Sequence, residues 1–217
     1  MRVAIFGSTG GTGRAAVQRL LVDGHDVTAF ARRPEALGIH HGRLRIAQGD
    51  VMDPAAVRRA VAGQEGVIVA LGITTRPLFA RLGAPLNTPP DVCSAGTQHI
   101  VEAMQQERVR RLVCVTAWGV ADSREKIPWF FRLFLTLLLQ ERYRDKERQE
   151  AVVRRSGLDW TIVRPVGLGN GPAAGTYRAG TDGVIRKPLI ARADVAAFVG
   201  TLITDGGYVG KTVALSG

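Results

Sequence analysis

The sequence predicts an α/β fold built on a doubly wound parallel sheet. Three observations point to it. Short apolar runs alternate with segments of helical spacing along the chain, the order that yields parallel strands joined by right-handed crossovers. One run, Gly66-Val-Ile-Val-Ala-Leu71, is apolar throughout, as a strand covered by helices on both faces requires. A glycine-rich turn lies directly between the first strand and the first helix, at the carboxyl end of a strand, where such sheets bind ligands.

The elements follow in order. Arg2-Val-Ala-Ile-Phe6 is a short apolar run ending at glycine and reads as a buried strand. Ala15, Ala16, Leu20 and Leu21 repeat at near-helical spacing up to Asp23-Gly24, and a second strand covers 26–30. A third covers 44–47. Asp53-Pro54 opens a helix, because Asp accepts from the free amides of the first turn and Pro fits there. It ends near Gly63, and the fourth strand covers 66–71. Residues 72–90 carry four prolines and read as a long loop. A helix is expected over 91–107 and a fifth strand over 111–115. A charged helix covers 141–155, closed by Gly157. Strand six covers 159–163. Residues 165–183 hold six glycines and read as loop. A helix over 194–204 and a strand over 212–215 complete the chain. No internal repeat or linker is visible. The expectation is one Rossmann-like domain over residues 1–217, with strand order 3-2-1-4-5-6-7.

Composition excludes several classes. The 217 residues are 46% hydrophobic and 22% charged, a globular balance incompatible with a largely disordered chain. The longest apolar stretch, 127–139, is 13 residues and contains Pro128 and Arg132, whereas a spanning helix needs about 20. No stable membrane insertion is expected. The chain reaches an apolar strand by Val3, which leaves no room for a signal peptide and makes a cytoplasmic protein the expectation. Cys93 and Cys114 form no C-x-x-C pair, against a disulfide framework or a cysteine metal site. His40 and His41 are adjacent and point apart, so no metal site is expected. The net charge is +10, and 25 of the 29 basic residues are arginine. The guanidinium fork suits phosphates, but a solvated basic surface is the favoured reading of the total charge. No nucleic-acid module or long basic run is present, so no nucleic-acid partner is expected.

Gly7-Ser8-Thr9-Gly10-Gly11-Thr12-Gly13 is the candidate phosphate cradle. One glycine permits the tight turn, one lets backbone approach a pyrophosphate, and one lets the helix pack close to the strand. The helix amides and dipole then face an anion. Strand two runs into Phe30-Ala31-Arg32-Arg33, with no acid before Glu35. An acidic residue there would hold a ribose 2′-hydroxyl, while arginine suits a 2′-phosphate. The expected cofactor is NADP(H), with Arg32 and Arg33 as candidate 2′-phosphate ligands.

Further segments carry a family resemblance: Ala4-Ile-Phe-Gly-Ser-Thr-Gly-Gly-Thr-Gly13, Gly49-Asp-Val51, Val61-Ala-Gly-Gln64, Val67-Ile-Val69 with Leu71-Gly72, Ser156-Gly-Leu158, Gly175-Thr-Tyr177, and Asp194 before the last helix. Over nearly its whole length the chain resembles the atypical short-chain dehydrogenase/reductase group that includes biliverdin reductase B, also called flavin reductase, and the NmrA-like proteins. The resemblance implies that Thr9 and Thr12 contact the cofactor phosphates and that Arg32 takes the 2′-phosphate. It further implies that Asp50 and Val51 border the adenine, that Leu71 and Gly72 line the trough after strand four, and that Pro165, Val166, Gly167 and Leu168 pass near the nicotinamide.

The wider superfamily uses a Ser/Thr after strand five and a Tyr-x-x-x-Lys pair on the next helix. Here Thr116 supplies a hydroxyl, but Ala117 stands where the resembled reductases have serine. Lys146 fits the lysine position. The residue four before it is Arg142, and Tyr143 comes one residue late, rotated by about 100° on a helix. Thr116, Tyr143 and Lys146 are the candidate catalytic residues, with Tyr143 readable as structural and Lys146 as a surface lysine. The apolar insert 127–139 lies beside the expected substrate site and reads as lid, dimer face, membrane-surface helix or core. The expected function is NADP(H)-dependent reduction of a small, planar, hydrophobic, flavin-like acceptor by a monomer or homodimer. The alternatives are a non-catalytic NAD(P)-sensing regulator of the NmrA-like kind and a sugar epimerase or dehydratase.

Overall fold

The fold is taken from a computed structural model. It describes residues 1–73, 88–126 and 129–217, with only the backbone course for 124–126 and 129–140. In chain order the elements are β1 (Arg2–Phe6), α1 (Gly11–Val22), β2 (Asp26–Ala31), β3 (Leu44–Gln48), α2 (Pro54–Val61), β4 (Gly66–Val69), α3 (Val92–Gln106), β5 (Arg111–Val115), α4 (Trp129–Arg155), β6 (Asp159–Pro165), β7 (Gly167–Gly169), β8 (Arg178–Gly180), β9 (Leu189–Ala191), α5 (Arg192–Thr204) and β10 (Lys211–Ser216). The main sheet runs β3-β2-β1-β4-β5-β6-β10-β8. Its neighbours are parallel except β10 and β8. This is the expected order, with β10 as the seventh strand and β8 added antiparallel at the edge.

The strands alternate their side chains between two cores. Val3, Ile5, Val27, Ala29, Ile68 and Val113 meet α1 and α5 through Val17, Leu20, Phe198 and Leu202. Ala4, Phe6, Phe30, Val67, Val69 and Leu112 meet α2, α3 and α4 through Val57, Ile100, Met104 and Val153. Covered on both faces, β4 is buried at every position, which is why its sequence shows no alternation.

Two expectations are corrected. Residues 165–183 are not all loop: β7 pairs with β9, and β8 with β10. Strands of three residues, rich in glycine, carry no readable alternation, and their pairing is set by tertiary context. The helix expected over 141–155 begins at Trp129; its leucine-rich first half has good helix propensity, and its three polar residues, Arg132, Thr136 and Gln140, recur at every fourth position, a helical period. The four readings of the 127–139 insert fall on residues 127–128 and on side chains of 129–139, outside the described residues. So does most of the loop expected over 72–90. No helix among the described residues is long and apolar enough to cross a membrane.

Helix α4 is locked onto the sheet by buried polar groups. Asp91, the residue before α3, makes no side-chain cap bond. Asp145 of α4 caps α3 instead, accepting from the amides of Cys93 (2.9 Å) and Ser94 (3.0 Å) and from Ser94 Oγ (2.6 Å). One turn on, Glu150 accepts from both Nε and Nη2 of Arg164 on β6, at 2.9 and 2.7 Å. Both side chains are at most 4% exposed, and breaking such a pair costs about 3–5 kcal/mol. These two anchors set which residues of α4 face the carboxyl ends of β4 and β5.

Candidate active site

The cradle forms where β1 passes into α1. Gly7 has φ +83°, and a Cβ there would lie 2.4 Å from the carbonyl oxygen of Ala70. A Cβ on Gly13 would lie 2.1 Å from the Gly7 carbonyl, so these two glycines are demanded by the fold. Gly10 differs: its φ of −73° suits any residue, and a Cβ would meet only the Gly7 carbonyl at 3.3 Å. Helix α1 has no side-chain cap and no acid in its first turn, which leaves its opening amides for an anion. Ser8 is fully buried and donates to the Phe30 carbonyl at 2.8 Å. Its hydroxyl therefore ties the cradle to β2.

A pocket of about 100 Å³ lies beside the cradle, lined by Gly7, Thr9, Gly10, Arg32, Val51 and Leu71 among others. Thr9, Arg32, Val51, Leu71 and Gly72 thus come together around one pocket. Thr12 is half-buried in the first turn of α1, and Asp50 borders the pocket without lining it. Asp50 Oδ1 accepts from the Met52 amide at 3.0 Å. Arg33 is exposed at the start of a short turn and is not among the lining residues.

Gly72 also lines a second cavity of about 790 Å³. Its walls include Trp118, Val120, Tyr143, Ile185 and Leu189, together with Pro165, Val166, Gly167 and Leu168. Lys146 lines it too. The ammonium donates to the carbonyls of Leu71 (2.7 Å) and Val115 (3.2 Å) and to Gln149 Oε1 (3.0 Å), so it clasps the ends of β4 and β5. Tyr143 lines the same cavity, its hydroxyl donating to the Trp118 carbonyl at 3.4 Å. Burial pushes its phenol above the usual range. The rotation of one residue does not remove Tyr143 from the site: three residues from Lys146 it is offset by about 60°, four would give about 40° the other way.

Thr116 needs correction. It is buried, and its hydroxyl donates to Glu150 Oε1 at 2.8 Å; it does not line the cavity, whereas Ala117 does. The reason is the buried Glu150–Arg164 pair, which captures the nearest hydroxyl. Sequence reasoning missed this pair, although an arginine within the apolar run Thr161-Ile-Val-Arg-Pro165 calls for a buried partner. It also missed Trp118, whose indole donates to the Gly183 carbonyl at 3.2 Å, and the cavity arginines Arg142 and Arg192. Cys93, at the same cavity, has its thiol pushed up to about 11 by burial. Among the described residues no group of three or more His, Cys, Asp or Glu is placed to hold a metal ion.

A glycine cradle and a trough across the carboxyl ends of parallel strands define a Rossmann-like nucleotide-binding architecture. The chain belongs to the family described as NAD(P)H-binding, which matches residues 7–206. A (4-alkanoyl-5-oxo-2,5-dihydrofuran-3-yl)methyl phosphate reductase of Streptomyces griseus is 27% identical over 222 residues, covering 99% of this chain and 67% of the relative. An uncharacterised chloroplast protein of Arabidopsis thaliana is 30% identical over 212 residues, 91% of this chain and 72% of its own length. Among solved structures, the oxidoreductase ylbE of Lactococcus lactis superposes with a TM-score of 0.81 at 21% identity, covering 100% of this chain and 90% of that one. The anaerobillin reductase ChuY of Escherichia coli O157:H7 gives 0.77 at 21% identity, covering 100% and 97%. A short-chain dehydrogenase/reductase of Veillonella parvula in complex with NADP gives 0.79 at 18% identity, covering 100% and 94%. At these identities the structural likeness is one of fold.

Proposed function

We propose that the protein is an NADP(H)-dependent reductase of a small, planar, hydrophobic, flavin-like acceptor. One observation carries the reading: the apolar cavity of about 790 Å³ begins where the cradle pocket ends, with Gly72 common to both. A dinucleotide laid along the trough would meet the opening amides of α1 with its phosphates, Arg32 with its adenine end and the cavity walls with its nicotinamide. The cofactor, when bound, supplies the hydride. The chain's own residues bind and orient. Trp118 and Tyr143 offer aromatic surface to a flat acceptor, and the Pro165–Leu168 segment closes the trough on the far side. Arg32 as a 2′-phosphate ligand supports NADP(H) over NAD(H). The NADP bound to the Veillonella protein and the reductase activities named for the Streptomyces relative and for ChuY agree with it. So does the resemblance to the biliverdin and flavin reductases.

A flavin can take its proton from water, so no side-chain acid is required. NADPH oxidation followed at 340 nm with FMN, riboflavin, biliverdin and quinones tests the proposal; turnover of at least one of them is expected. Tight NADPH binding without turnover of any would favour a second reading, a nucleotide sensor of the NmrA-like kind. One observation favours that reading: with Thr116 bonded to Glu150 and alanine at 117, neither residue after β5 offers the cavity a free hydroxyl.

A further inference from the structure

The charge in the cavity is one-sided. Arg142, Lys146 and Arg192 line it, and no Asp or Glu is among the lining residues described. Lys146 is engaged by three acceptors. The two arginines have no carboxylate partner among the described residues. Arg192, the first residue of α5, donates through Nη1 only to neutral oxygens, the Leu168 carbonyl and Asn170 Oδ1. Its guanidinium also lies against Gly11, where a Cβ would fall 2.6 Å from Nε. A cation is thereby held at the positive end of α1, where an anion between the two, the cofactor's diphosphate or the edge of an acceptor, would relieve the repulsion. Arg142 is half-buried, and burial alone pulls its pKa below the usual arginine range, opposed only by the Cys93 thiol. A guanidinium taken from water without a counter-charge is costly, and a bound anion removes that cost.

We propose that the acceptor carries a phosphate or carboxylate, recognised by Arg142 and Arg192, at the edge of its flat apolar body. The proposal rests on reading this cavity as the acceptor site. Each guanidinium offers a planar fork matched to such an anion, while Trp118, Val120 and Leu189 take the apolar part. The same chemistry also occurs in the cofactor's diphosphate, so the test separates the two sources.

FMN and riboflavin differ only in a phosphate. Their affinities for the NADP+-loaded protein are measured by calorimetry for wild type, Arg142→Gln, Arg142→Lys and Arg192→Gln. Wild type should bind FMN about tenfold or more tighter than riboflavin, as expected for a charge-assisted bond. Arg142→Gln and Arg192→Gln should each bring that ratio toward one, and Arg142→Lys should retain part of it. The affinity of the Arg142 variants for NADP+ itself should stay within about threefold of wild type, whereas Arg192→Gln, whose guanidinium lies against the cradle at Gly11, should weaken NADP+ as well. Equal FMN and riboflavin affinities in wild type would overturn the proposal. So would losses that fall on NADP+ and leave the ratio intact, which would assign the arginines to the cofactor. A second pair, 1-naphthyl phosphate and 1-naphthol, keeps the outcome separate from the flavin reading. If neither flavin binds but the phosphate is preferred in an arginine-dependent way, the flavin reading falls and the anion site stands. No preference in either pair overturns the anion site.

Discussion

Arg32 Nη1 lies 4.0 Å from Asp50 Oδ2, the two side chains meeting just past the ends of β2 and β3 with 42% and 44% of their surfaces exposed. An ion pair this open contributes about 0–1 kcal/mol, so the pair with Asp50 costs little to exchange for a phosphate. The expected outcome is tighter binding of NADP(H) than of NAD(H). Arg32→Ala should cost about 1.5–3 kcal/mol of NADPH affinity, roughly 10- to 150-fold, from one charged hydrogen bond. Titration of both cofactors against both proteins checks it. Equal wild-type affinities would remove the assignment.

The cradle glycines separate fold from ligand. Gly10 has an ordinary backbone conformation, and a Cβ there meets only the Gly7 carbonyl, at a tight 3.3 Å that a small shift relieves, so Gly10→Val should leave a folded protein that no longer binds the dinucleotide. Gly13→Ala drives a methyl to within 2.1 Å of the Gly7 carbonyl and should lower thermal stability directly. Calorimetric binding and thermal melting on both variants measure the contrast. A Gly10→Val protein with normal affinity would reduce the cradle to a turn.

Much of this was legible in the chain. The order of β1 to β6 followed from alternation of apolar runs and helical spacing, and the cradle from Gly7, Gly10 and Gly13 in their strand-to-helix context. What stayed hidden depended on partners distant in sequence. Thr116 reads as a free hydroxyl and Ser8 as one more residue of the cradle, and only the packed structure brings them to Glu150 and Phe30. Arg142 and Arg192 lie fifty residues apart, and nothing local says that one cavity receives both.

Thr116→Val tests the hydroxyl that the structure turns away from the cavity. It removes a buried donor to Glu150 and should cost about 1–3 kcal/mol of stability. Acceptor reduction at saturating cofactor should change by less than about tenfold, below the usual contribution of a general acid. A thousandfold loss of turnover in a well-folded variant would return Thr116 to the chemistry.

Cys93 gives a pH-dependent check on the cavity wall. Burial pushes its thiol up to about 11, so at pH 8 only about 10⁻³ of it is thiolate, the reactive form. Alkylation by iodoacetamide should be slow at pH 8 and rise about tenfold per pH unit until near 11. Ligand in the cavity should slow it further. Fast labelling at pH 7 would mean that the wall is open to water.

The proton and the lysine can be told apart. Tyr143 donates its hydroxyl to the Trp118 carbonyl, and burial raises its pKa above that of an ordinary phenol. A raised phenol pKa favours the neutral form, so Tyr143 stays protonated through neutral pH and loses its proton only on the alkaline side. If it were the acid, turnover would fall only well on the alkaline side and Tyr143→Phe would cost about 10²–10⁴-fold. With a flavin acceptor protonated by water, Tyr143→Phe should instead change turnover by less than about tenfold. Lys146→Ala should act differently. It strips a donor from the Leu71 and Val115 carbonyls, and Leu71 lines the cofactor pocket. The strand ends should loosen, with cofactor affinity falling and a slower hydride transfer remaining measurable. A Tyr143→Phe protein that binds NADPH normally but turns over a thousandfold more slowly would make the phenol the proton donor and align the protein with the tyrosine-dependent dehydrogenases.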